Sequence, residues 1–89
     1  MSYTRVQIES YKQGLQEAGL IRELLSKGCQ GINPKKQQGG AYKLEVDPRR
    51  DLPQEIKHRM VEVGKEVLGQ DFTWDAGVDY YGPAAAQAR

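Results

Sequence analysis

Nucleophilic chemistry in this chain has one pair of side chains to draw on, because the sequence holds a single cysteine, Cys29, and a single histidine, His58. A cysteine attacks as its thiolate, and an imidazole within hydrogen-bond reach would take its proton. The local sequence opposes that arrangement. Cys29 follows Lys27-Gly28, a helix-stop signature, and the negative end of a helix dipole disfavours a thiolate. No catalytic residue is assigned. Metal chemistry is as poorly served. With one Cys and one His, a structural zinc would need several carboxylates to complete its shell. Asp71, Asp75 and Asp79 lie four apart. They share a helix face only if the aromatic residues between them are helical, which Gly77 argues against, and their spacing departs from a calcium loop. No metal and no cofactor is expected, and the chain reads as a non-enzyme.

Phosphate recognition has two weak starting points, Gly28-Cys-Gln-Gly31 and Gln38-Gly-Gly40. Neither has the lysine-terminated P-loop or the dinucleotide fingerprint. Basic residues are better placed. Residues 34–50 hold Lys35, Lys36, Lys43, Arg49 and Arg50 against Glu45 and Asp47, a local +3. Lys35, Lys36, Arg49 and Arg50 are therefore the contact residues of a nucleic-acid-binding reading, which predicts affinity that falls steeply with salt. Lys57, His58, Arg59 and Lys65 extend the basic positions, but Glu55, Glu62 and Glu66 are interleaved with them. The whole chain carries 13 basic and 12 acidic side chains, net +1, too balanced for a broad phosphate footprint. Nucleic-acid binding stands as the alternative function.

The strongest functional signal is aromatic. Four of the seven aromatic residues fall within 71–81, at Phe72, Trp74, Tyr80 and Tyr81. Such side chains bury large areas while Trp and Tyr keep a polar handle, and they are enriched at interfaces as well as in cores. Phe72, Trp74, Tyr80 and Tyr81 are accordingly the expected protein-binding residues. The surrounding Asp71, Asp75 and Asp79 oppose a phosphate backbone. They give residues 70–89 a local −2 once Arg89 is counted. The leading function is a protein-interaction or assembly subunit, with self-association as one form of partnering.

The elements that must hold these residues follow from hydrophobic periodicity. Thr4, Val6, Ile8 and Ser10 alternate with polar residues, so a short strand is expected over 3–10, with one long helix from residue 4 as the competing pattern. A helix follows over 11–27. Ser10 and Gln13 form its capping box, Tyr11, Leu15, Ala18, Ile21, Leu24 and Leu25 its apolar stripe, and Gly28 its stop. Gly14 and Gly19 either allow close packing or divide it in two. Ile32 can open a strand, with residues 33–40 as a hairpin tip. Tyr42, Leu44 and Val46 alternate with Lys43 and Glu45 as a half-buried strand, ended by Asp47-Pro48. Pro53 opens a second helix and Gly69 ends it, with Leu52, Ile56, Met60, Val63 and Val67 along one face. One or two short strands are expected over 71–81.

These elements define an α+β fold, a small antiparallel sheet packed against two amphipathic helices, as a single domain over residues 1–82 with an Ala-rich tail at 83–89. A chain of 89 residues supports one modest core. No apolar run approaches the roughly 20 residues of a membrane-spanning helix, so no membrane association is expected. The lone cysteine closes no intramolecular disulfide, and no signal peptide is visible. A cytoplasmic protein is the simplest expectation.

Overall fold

The computed structural model describes residues 2–82; the Ala-rich tail assigned to 83–89 lies outside the described residues. The fold is α+β. Its elements run α1 (Arg5–Glu17), α2 (Leu20–Ser26), β1 (Ile32–Lys36), β2 (Tyr42–Val46), α3 (Gln54–Leu68), α4 (Trp74–Gly77) and β3 (Val78–Tyr80).

The strand expected over 3–10 is replaced by the start of α1. Thr4 closes a capping box one turn and a half before the Ser10 box. Its hydroxyl accepts from the Gln7 backbone N–H at 3.2 Å, and Gln7 Oε1 accepts from the Thr4 N–H at 2.8 Å. Two otherwise orphaned donors are satisfied together, which favours nucleation there. The strand pattern had placed Val6 and Ile8 on one face. A helix separates them, and Ile8 is fully buried while Val6 is 70% exposed. Of residues 3–10, only Tyr3 pairs with the sheet, in an isolated bridge to Tyr42.

The expected helix over 11–27 is two helices. Gly19 takes φ 78°, a left-handed conformation that glycine adopts without a Cβ clash, and it shifts the phase of the apolar stripe. Tyr11, Leu15, Leu20 and Leu24 face inward, whereas Leu25 is 59% exposed. The stop at Lys27 and Gly28 is as read.

Strands β1 and β2 form an antiparallel hairpin with Ile32 opposite Val46 and Lys36 opposite Tyr42. Pro34 lies within β1, tolerable because β1 is an edge strand. The sheet is mixed rather than wholly antiparallel, since β3 runs parallel to β2 with Val78 beside Leu44. The connection from β2 to β3 passes through α3, and a parallel neighbour requires such a long crossover. Residues 71–77 are not the expected strand. Thr73 Oγ1 accepts from the Ala76 N–H at 3.3 Å and caps the single turn of α4.

The register sets the two faces apart. Ile32, Leu44, Val46 and Val78 are buried on one face. Lys35, Lys43, Glu45 and Asp79 lie at register positions on the other. Helix α1 lies against β1 and β2, and α3 packs on α1. Tyr11 is buried between them, its hydroxyl donating to the Met60 carbonyl at 2.9 Å, so the polar end of a core ring is satisfied. No helix among the described residues is long and apolar enough to cross a membrane.

Candidate functional site

The four aromatic residues of the C-terminal segment divide into three environments. Phe72 is 1% exposed. Its ring lies 5.0 Å from Tyr11 and 5.9 Å from Tyr3, centroid to centroid, and it is wedged against the backbones of Gly64 and Gly77. The expectation that Phe72 contributes to a contact surface is corrected: it is a core residue. Phenylalanine has no polar atom to keep near water, so burial costs it nothing in hydrogen bonds.

Trp74 and Tyr80 remain half-buried and form a corner. The Thr73 cap turns the chain so that Trp74 opens α4, and pairing of β3 with β2 brings Tyr80 beside it. The rings meet edge to face at 5.8 Å and 62°, a favourable arrangement for two ring quadrupoles. The Tyr80 hydroxyl donates to Asp51 Oδ1 at 2.8 Å and accepts from the Leu52 N–H at 3.4 Å. Burial, then the bond to Asp51, pushes its pKa up to about 12, so the hydroxyl stays protonated at neutral pH. Lys57, from the first turns of α3, brings its ammonium 4.9 Å from the Tyr80 centroid, 5.9 Å from the Trp74 centroid and 3.8 Å from Asp51 Oδ1.

Tyr81 is 44% exposed and lies on the open side of the sheet. Its hydroxyl donates to Asp79 Oδ2 at 2.6 Å and accepts from Lys35 Nζ at 2.5 Å. Lys35 also lies 3.7 Å from Glu45 and 3.9 Å from Asp79, and Gln37 Nε2 donates to Asp79 at 3.3 Å. The bond to Tyr81, followed by attraction to Asp79 and Glu45, raises the Lys35 pKa.

The proposed nucleic-acid residues do not converge. Lys35 and Lys36 are successive strand residues and so point to opposite faces. Lys35 is opposed by two carboxylates, as above. The Arg49 stem packs against Gly28, and its backbone N–H donates to the Lys27 carbonyl at 3.3 Å. With the Gln30 amide turned to present its oxygen, that oxygen accepts from Arg49 Nη2 at 2.7 Å. Lys36 and Arg50 are exposed.

The nucleophile and imidazole are likewise apart in character. Cys29 is buried, and burial followed by the nearby Asp47 carboxylate pushes its thiol up to about 11. The His58 side chain is 71% exposed and faces Glu62 at 3.5 Å. No hydrogen bond joins Cys29 to His58. Among the described residues, no group of three His, Cys, Asp or Glu side chains is placed to hold a metal ion.

Shallow depressions among the described residues include ones of about 390, 440 and 420 Å³; size does not choose among them. The first lies between α1 and β1 and is lined by polar side chains such as Arg5, Lys12 and Asn33. The second crosses the α1–α2 break around Ile21 and Leu25. The third lies between α3 and α4, lined by Gln54, Lys57, His58, Val61, Trp74 and Asp75. Only this last combines an aromatic ring with apolar, cationic and anionic neighbours, the mixture that binding sites favour. From the sequence Lys57 reads only as an extension of the basic positions, and Asp51 carries no site signal. Each is an ordinary charged residue near a helix start, and the rings it meets are distant along the chain.

Comparison with protein-family models, with curated proteins and with solved structures finds no match. The function has to be read from the geometry of the chain itself.

Proposed function

We propose that this chain is a non-enzymatic protein-interaction or assembly subunit whose contact surface is the corner made by Trp74 and Tyr80. One observation carries the reading. Two large rings meet edge to face and stay only half-buried at the margin of the core, and Trp74 lines an open cleft. A rigid, partly exposed aromatic pair offers contact area at low entropic cost, which is how interface anchors act. Tyr81 on the open sheet face is a second, peripheral contact. The buried, protonated Cys29 supports the non-enzymatic part of the reading. A single free thiol, with no disulfide for the fold to depend on, suits a cytoplasmic setting.

The nucleic-acid alternative has less support, because Lys35 is already countered by Glu45 and Asp79, Lys36 lies on the opposite face of β1 and Arg49 is engaged at Gly28 and Gln30. The test is crosslinked affinity capture from the native host with the intact chain and its Trp74→Ala variant, alongside a nucleic-acid shift at two salt concentrations. The expected result is a captured protein partner, with binding weakened by at least about 2 kcal/mol in Trp74→Ala while the fold persists. If Trp74→Ala unfolds, the residue belongs to the core and the reading loses its anchor. If the chain instead shifts nucleic acid, and does so far less at high salt, the alternative replaces it.

A further inference from the structure

The corner has the makings of a cation receptor. Two rings at 62° present their π-electrons to one region of space, and a carboxylate closes it. Ring faces attract ammonium groups within about 6 Å of the centroid, and aromatic cages recognise methylated and quaternary ammonium groups on this principle. In this chain the region already holds an ammonium, that of Lys57, at 4.9 and 5.9 Å from the two centroids and 3.8 Å from Asp51. The Tyr80 hydroxyl orients Asp51 through a 2.8 Å hydrogen bond. Tyrosine thus supplies a ring face and positions the anion at once.

Building on the protein-interaction reading above, we propose that the Trp74–Tyr80–Asp51 corner is an alkylammonium-binding site, occupied in cis by Lys57, that receives a lysine side chain of the partner when Lys57 swings away. The geometry makes the exchange feasible. Lys57 is carried by α3 on a flexible four-carbon stem, and it lines the solvent-open cleft beside Trp74. Its displacement exchanges one cation for another, so the charge of the corner is preserved. Binding in trans must compete with a tethered ammonium at high effective concentration. The intact chain therefore binds free cations weakly, and removing the tethered one unmasks the site.

Trp74 is the sole tryptophan, so its fluorescence reports on the corner. The experiment titrates choline, and separately its uncharged isostere 3,3-dimethylbutanol, into the intact chain and into Lys57→Met, which keeps the stem and removes the charge. Lys57→Gln is carried in parallel as a second neutral variant, and urea midpoints verify the folding of each. The expected result is choline binding about three- to tenfold tighter in both Lys57 variants than in the intact chain, the range that cation–π contacts at partly exposed sites can supply. The neutral isostere gains less, and Asp51→Asn in the Lys57→Met background cancels the choline gain. No gain for choline, or an equal gain for the isostere, overturns the inference, the latter because it would mark a mere apolar gap. The two readings fail separately. A choline gain without any Trp74-dependent partner would leave the cation site and remove the protein-interaction role. A captured partner without a choline gain would do the reverse.

Discussion

Gly64 tests how tightly the core is closed around Phe72. Both Gly14 and Gly64 sit inside helices, where alanine in place of glycine is worth about 1 kcal/mol of added stability. A Cβ at Gly64 would lie 2.4 Å from Phe72 Cδ1 and Cε1. Carbon pairs rest at about 3.5–4.0 Å, so the ring would have to retreat by more than about 1 Å. It has nowhere to go. The backbone at Gly77 abuts its other edge, where a Cβ would meet Cε2 at 2.2 Å, and Tyr11 and Tyr3 stand against it. Overpacking of a closed core costs about 1–3 kcal/mol, and this site belongs at the upper end. Gly64→Ala should therefore lose about 2 kcal/mol net of the helix-propensity gain. At about 4–8 °C per kcal/mol for a domain this size, the melting temperature should fall by about 8–16 °C. At Gly14, a Cβ would meet Val67 Cγ2 at 2.9 Å and Val63 Cγ1 at 3.1 Å. Val67 is 38% exposed and can turn outward, so Gly14→Ala should be near neutral or mildly stabilising. Urea denaturation of both variants, with unchanged slope and shifted midpoint, is the assay. Gly64→Ala as stable as the parent, or Gly14→Ala as damaging as Gly64→Ala, would refute the closed cage.

Two further outcomes are expected. Thr4→Ala should destabilise by about 1 kcal/mol in urea denaturation through loss of the capping box, whereas Ser10→Ala, inside α1, should lack this capping loss. Stability should fall as pH rises from about 9 to 11. The Cys29 thiol ionises near 9 when unfolded but near 11 when buried, so over that window the unfolded chain binds fewer protons and is favoured. Tyr80 extends the same loss from pH 10 to about 12. Urea midpoints measured across pH should lose the earlier part of this slope in Cys29→Ala, and an unchanged slope would contradict the burial of the thiol.

The parts of the fold legible in the sequence are those in which local signals agree. Pro53 and Gly69 bracket α3: proline's fixed φ of −58° suits the residue that precedes the first turn, and a φ of 115° suits glycine at the end. The alternation of Tyr42, Leu44 and Val46 reads directly as β2 because one side of the strand is buried and the other wet. Residues 3–10 were ambiguous for a physical reason. The β-branched residues Thr4, Val6 and Ile8 favour a strand, yet the Thr4–Gln7 capping box favours a helix, and Tyr3 alone needs the sheet. The parallel pairing of β3 was hidden because direction is set by the path through α3, not by any residue in β3. At the site, Trp74 and Tyr80 were visible as types, but Asp51 and Lys57 are defined only once α3 and β3 fold together.

The charge pattern changes meaning on folding, and with it the balance between the two functional readings. Along the chain, a basic 34–50 segment and an acidic C-terminal segment look like two poles, one for phosphates and one for a partner. In the fold they meet. Glu45 belongs to the basic stretch and Asp79 to the acidic one, and both lie within 4 Å of Lys35. Lys57 is likewise answered by Asp51. Charges satisfied at this range are nearly silent beyond a Debye length of about 8–10 Å, so they lend little to long-range steering of a polyanion. What the same contacts do achieve is to hold rings in place. Lys35 sits 4.6 Å over Tyr81, and Lys57 is shared between Tyr80 and Trp74. Lys35 and Lys57 are thus engaged in fixing aromatic side chains, and this supports the proposed short-range recognition of a protein partner over binding of a phosphate backbone.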